Sequence, residues 1–274
     1  MPIITLTRSS FSHGREIAQK TAEMMGYEVI GNEVIETASK EYNVPVAKLT
    51  GALERAPSLF GMSVETRRKY IAYFQAVMAR YMLKDKLVYD GPAAHVLIQG
   101  VSHILKVCIV ANIDDRTKLR AEEEKISEKE ALKRLLKEDK EHKEWAKTFY
   151  NVDDSDPSLY DIVLNLGQLS VDDAVKIIAS MASNKKFQPM TYSIKCISNI
   201  ELACKIKAAL IDLDPDVNVR ADGGNVFIHT RTIEKEKDKR VAAIKDIASK
   251  FNDVRDVEVQ VTEDFFKQVS STLR

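Results

Sequence analysis

The chain has 274 residues, 45% hydrophobic and 30% charged, which suits one sizeable core or two modest ones and excludes wholesale disorder. Its 41 Lys and Arg balance 41 Asp and Glu, so no net field draws it to nucleic acid or to an anionic membrane, and any basic site has to be local. No apolar run approaches the ~20 residues of a membrane span, and the opening MPIITLTRSS lacks a signal pattern, so a cytoplasmic location is expected.

In chain order, residues 2–6 (PIITL) read as a buried strand. HGREIAQKTAEMMG follows as a helix with Ile17, Ala18, Thr21, Ala22 and Met25 on one face and Gly26 as its stop. Further helices are predicted at 33–42, 46–55 and 64–83, the last with an apolar and aromatic stripe from Tyr70 to Tyr81. KLVYDG (86–91), KVCIVAN (106–112) and DIVLNL (161–166) read as further strands, and strands separated by helices imply a parallel α/β sheet. Residues 114–150 form a charged helical stretch with a capping-box pattern at Ser127 to Glu130, and 171–182 an amphipathic helix. The polar stretch 183–193 reads as a linker.

Beyond it, helix 199–213, an alternating hairpin around Asp222-Gly223-Gly224, helix 234–252 and strand 257–261 make a small α-β-β-α-β unit. The expected organisation is a domain over 1–182, the linker, a second domain over 194–265 and a tail from 266. Cys108, Cys196 and Cys204 show no paired spacing, and Cys108 is expected to be core.

Three places carry candidate chemistry. Strand, polar loop and helix entrance at residues 5–16 present free N–H groups and the positive end of a helix dipole, which together bind phosphate. The sequence departs from a standard phosphate loop: only Gly14 remains, Arg15 holds the lysine position and Glu16 the hydroxyl position. Arg8, Ser12, His13 and Arg15 gather donors there, and the competing reading is an ordinary turn capped by Ser12. Asp90, ending the second strand of this reading, is placed to hold a magnesium water, or else forms a turn with Gly91 and Pro92. Arg116 and Arg120 would close over a transferring phosphoryl group, or pair at the surface with Asp114, Asp115 and Glu122 to Glu124. His95 and His103 do not share a helical face and read as structural.

The segments SSFSHGREIAQKTAEMMGYEVIGNEVI, ERAPSLF, AAHVLIQGVSHILKVCIVANIDDRTKLRAEEEKISEKEA and DDSDPSLYDIVLNLGQLSVDDAVKII resemble, in order and spacing, the cytidylate kinase-like family of P-loop nucleoside monophosphate kinase relatives. The resemblance spans roughly residues 3–181. It implies a P-loop kinase-like parallel sheet flanked by helices, followed here by the small α+β unit.

The family's Gly-Ser-Gly-Gly-Arg loop falls on Phe11, Ser12, His13, Gly14 and Arg15, so two glycines are replaced. Its Gly-Arg-Gly after the second strand is Asp90-Gly91-Pro92 here, and its lid arginines carry over to Arg116 and Arg120. Where relatives carry another basic residue in the next helix, this chain has Lys140, His142 and Lys143. The resemblance implies ATP with Mg2+ as cofactor, and nucleotide phosphates on Arg8, Ser12, His13, Gly14 and Arg15. The kinase reading adds magnesium oriented by Asp90, an acceptor under the 33–83 helices, and phosphoryl transfer aided by Arg15, Arg116 and Arg120.

The alternative is a kinase fold without turnover, acting as a regulatory or scaffold protein. Residues 194–262 resemble a BON domain, which implies a ligand, phospholipid or protein partner. Residues 195–274 carry 14 basic and 14 acidic side chains, so a soluble ligand or a protein is favoured over a membrane. No nucleic-acid partner is expected, and the sequence leaves the oligomeric state open.

Overall fold

The computed structural model describes residues 2–54, 61–91, 98 and 100–263. His95, much of ERAPSLF and the C-terminal tail lie outside the described residues. The chain divides into two compact units, residues 1–62 with 84–193, and residues 63–83 with 194–274.

The first unit is built on a five-stranded parallel sheet: β1 (Ile3–Arg8), β2 (Glu28–Ile30), β3 (Leu87–Asp90), β4 (Ile104–Val110) and β5 (Ile162–Asn165), in the order β2-β3-β1-β4-β5. β3, beside β1, is buried along its whole length, as a strand covered on both faces is. Helix α1 (Gly14–Met25) packs on one face with α7 (Val171–Ala182). There Ile4, Leu6, Ile17, Ala18, Leu105, Val107, Ile109, Val175 and Ile178 form a dry core. The short edge strand β2 is the one element of the sheet that the sequence reading lacked. Three residues with one buried side chain carry too little periodicity to announce themselves.

The remaining helices of this unit are α2 (Asn32–Tyr42), α3 (Val46–Glu54), α5 (Ile113–Glu124) and α6 (Glu128–Tyr150). The charged stretch after β4 is two helices, because Lys125 turns left-handed (φ 54°) and Ser127 caps the second by accepting from the Glu130 N–H at 3.3 Å. Trp145 of α6 is fully buried and its indole N–H donates to the Ala52 carbonyl of α3 at 2.8 Å, tying these helices together. Cys108 is half-buried, with its thiol pushed up to about 11, chiefly by burial.

The second unit contains α4 (Val64–Tyr81), which the sequence reading placed with the N-terminal strands. It groups instead with α8 (Thr191–Leu210), β6 (Asn218–Asp222), β7 (Asn225–Thr232), α9 (Lys237–Ala248) and β8 (Asp256–Glu263). Arg68 and Lys69 of α4 form ion pairs with Asp216 and Asp212 of the loop after α8. The sequence could not show this, since partners so far apart leave no local pattern.

β6 and β7 form the expected antiparallel hairpin. Gly223 and Gly224 both stand at positive φ (58° and 91°), as a tight two-residue turn requires. β8 joins β7 in parallel, giving the order β6-β7-β8. Helix α8 starts at Thr191 rather than 199 and includes the end of the predicted linker.

Trp145→Ala removes the largest fully buried side chain and the link to α3. Urea unfolding of the first unit should show a loss of about 3–5 kcal/mol.

Candidate functional site

In an open parallel sheet, ligands collect beyond the carboxyl ends of the strands where successive crossovers leave in opposite directions. Here β1 runs through α1 toward β2, whereas β3 crosses to β4 on the other side of β1, so the crevice lies between the ends of β1 and β3. Those ends are Arg8 and Asp90. The Arg8 Nε donates to Asp90 Oδ1 at 2.7 Å, with Asp90 buried and the Arg8 side chain about a third exposed.

Residues 9–13 link β1 to α1. Phe11 and His13 stand at φ 57° and 56°, while Ser12 between them does not enter the positive region. Left-handed backbone in a non-glycine residue costs about 1–2 kcal/mol, so it persists only where the surroundings impose it. These are two of the positions that hold glycine in the resembled loop. The left-handed backbone that Phe11 and His13 adopt is one that glycine enters at no steric cost.

Alternation of this kind curls successive N–H groups toward one point, the shape that holds phosphate. Ser12 does not cap α1: its hydroxyl donates to the Ser9 carbonyl at 2.7 Å. The N-cap residue is His13, without a side-chain cap bond, so the first turn of α1 keeps its donors for another acceptor. The turn reading that gave Ser12 a cap is therefore corrected.

Gly14 is required by Arg8. A Cβ at Gly14 would lie 2.1 Å from the Arg8 Cδ, so this glycine lets the side chain lie across the helix start toward Asp90. Arg15 and Glu16 are exposed, and Glu16 pairs with Lys20 at 3.2 Å and approaches His13 at 3.4 Å.

Both lid candidates reach this loop. Arg116 donates through Nε to the Ser10 carbonyl at 2.7 Å and through both Nη groups to Asp139 at 2.9 and 2.8 Å. Arg120 stacks over the Phe11 ring, 4.9 Å from its centre, and donates to Glu124 at 3.0 Å and Glu138 at 2.8 Å. Its burial works against its charge, yet the bonds to Glu138 and Glu124 outweigh that and raise its pKa. Its Nη1 is buried without a partner among the described residues.

Neither arginine is at the surface with Asp114 or Asp115. Of the suggested carboxylates only Glu124 is used. Asp139, Glu138 and Ser10 were missed by sequence reasoning, and Phe11 was read only as standing at a glycine position; only the i,i+4 spacing of Arg120 and Glu124 was legible. Lys143 pairs with Asp153 at 3.0 Å, His142 with Asp154, and Lys140 with Glu144 at 3.8 Å, so these basic groups already have carboxylate partners. His103 is buried and its pKa lowered by that burial, in keeping with a structural role.

The donor set suits an anion better than a metal. Asp90 is already neutralised by Arg8, and a divalent cation at that carboxylate would be repelled by the guanidinium, by about 4 kcal/mol per unit charge at 4 Å for an effective dielectric constant of about 20. The hydroxyl position is Glu16, turned outward to Lys20. Among the described residues no cluster of three metal-binding side chains exists. Asp90 therefore does not fit the magnesium role, and no step is routed through a metal.

Residues 3–168, more than half of the chain, match the model of the cytidylate kinase-like family. The chain belongs to the cytidylate kinase-like family. Among curated relatives, the cytidylate kinase of Methanoregula boonei is 25% identical over 193 residues, covering 69% of this chain and 99% of that one. The cytidylate kinase of Sulfolobus acidocaldarius is 33% identical over 102 residues, 37% of this chain and 56% of its own length.

A solved structure of an uncharacterised protein from Eubacterium ventriosum superposes with a TM-score of 0.52 at 21% identity, over 68% of this chain and all of that one, a likeness of fold. The first unit is thus a kinase-like nucleotide-binding fold. Among the described residues no helix is long and apolar enough to cross a membrane.

Gly14→Ala should push Arg8 off Asp90 and cost about 1–3 kcal/mol. Chemical denaturation measures that loss, and an unchanged midpoint would contradict the close approach.

Proposed function

We propose that the chain binds a nucleotide through its phosphates at residues Ser9 to Arg15, at the switch point of its sheet. The observation that carries this reading is the left-handed backbone of Phe11 and His13, which keeps the phosphate-cradling shape of the loop without its glycines. The uncapped start of α1 adds the positive end of the helix dipole. Arg8, the exposed Arg15 and the His13 backbone supply donors, while Ser12 braces the loop through Ser9. ATP is the proposed ligand.

Two readings share this binding. In the first, a nucleoside monophosphate, cytidylate-like by analogy with the curated relatives, presents a phosphate oxygen to the terminal phosphorus of ATP. The new P–O bond forms as the bond to the bridging oxygen breaks, ADP leaves, and Arg15, Arg116 and Arg120 would neutralise the equatorial oxygens. In the second, turnover is lost and nucleotide binding serves regulation.

The carboxylates on Arg116 and Arg120 favour the second. A lid arginine held bidentate by Asp139 reaches a phosphoryl group only after giving up that pair, a change costing two charge-assisted bonds. The small C-terminal unit, read as BON-like, would then be the contact for a soluble ligand or a protein. Its sheet exposes Phe227 beside Arg220 in cross-strand register.

Calorimetric titration with ATP, CTP and a β,γ-imido analogue measures the binding, and Arg15→Ala should weaken it at least about tenfold. Absence of heat at millimolar ligand sinks the proposal. An ADP-release assay across nucleoside monophosphates then separates the readings: release with cytidylate supports transfer, and a flat response with binding intact supports regulation.

A further inference from the structure

We infer that nucleotide phosphate binds at this loop without a divalent cation, because the Arg8 guanidinium, held by Asp90 through its Nε, offers its Nη donors to the phosphate where a metal would otherwise bridge. The inference rests on the phosphate-binding reading above and adds which donors stand in the place of a metal.

Three features of the site carry it. The carboxylate at the end of β3 already has its cation. Arg8 Nε holds Asp90 Oδ1 at 2.7 Å, with the Asp90 carboxylate buried. Within the pair the Arg8 guanidinium uses only its Nε. Among the described residues no further partner takes its Nη groups, and the side chain is about a third exposed at the mouth of the crevice. A planar fork of this kind matches two phosphate oxygens at once.

Third, the loop protects this arrangement. Gly14 leaves the space through which the Arg8 chain passes, and a methyl group there would collide with its Cδ at 2.1 Å. The residue at the position of the usual metal-binding hydroxyl is Glu16, whose carboxylate faces Lys20 and His13 on the helix surface. Asp90 thus orients a guanidinium toward the phosphates. Positive charge comes from the helix start and the exposed Arg15, the Arg8 fork adds directed donors, and none of these needs a metal to be delivered with the ligand.

The test is calorimetric titration of the full chain with ATP and with the β,γ-imido analogue, in excess EDTA and again in excess magnesium. The expected result is a dissociation constant in EDTA within about threefold of that in magnesium. Arg8→Gln should weaken binding in EDTA at least about tenfold, and Arg8→Lys, which keeps the charge but not the fork, should recover only part of the loss.

Binding seen only with magnesium overturns the inference and leaves the phosphate-binding reading intact. Binding in EDTA that Arg8→Gln does not alter also overturns it, since the donors would then come from elsewhere. No binding in either condition overturns both. The EDTA comparison needs no variant, so the inference stays testable if Arg8→Gln fails to fold.

Discussion

The ion pair between Arg8 and Asp90 is the constraint around which the first unit's crevice is arranged. It joins the carboxyl ends of β1 and β3, the two strands whose outgoing crossovers diverge, and it closes on one side the gap that such divergence opens. A partly exposed pair adds little to stability, and its importance is geometric. It fixes where the guanidinium points and therefore requires a residue without Cβ at position 14. With position 14 fixed, α1 begins immediately behind the side chain, and the five residues before it have to turn in the space that remains.

A second layer of charge sits over that loop. Arg116 holds the Ser10 carbonyl and Arg120 covers the Phe11 ring, while Asp139, Glu124 and Glu138 satisfy most of their remaining donors. The hydrogen bond from Arg120 keeps the Glu124 carboxyl below the usual carboxylate range, so this part of the clamp is complete above that range and is lost as pH falls through the lowered value. The Phe11 side chain thereby has a structural use: its ring is the floor on which Arg120 rests.

Much of the first unit was legible in the sequence because its strands and helices carry their own periodicity. Ile17, Ala18, Thr21 and Ala22 recur at helical spacing and are all buried in α1. The hairpin around Gly223 and Gly224 was legible because a two-residue turn demands positive φ. Interactions between distant segments were not. Arg8 with Asp90, Arg116 with Asp139 and α4 with the C-terminal unit join residues whose separation leaves no local pattern. The loop failed as a motif for a different reason: a pattern of residue types records where glycine is convenient, whereas the structure retains the torsion angle.

The placement of α4 has a consequence for how the chain is made. The second unit is discontinuous: its first helix emerges from the ribosome before β3, β4 and β5, and its other elements only after residue 193. During that interval Arg68 and Lys69 have no Asp216 and Asp212 to bind, and α4 waits without the neighbours that complete its unit. The first unit is discontinuous too, since residues 63–83 interrupt it between residues 62 and 84. A cut at residue 193 would therefore not yield a clean half of the protein, but one unit together with an orphaned helix of the other.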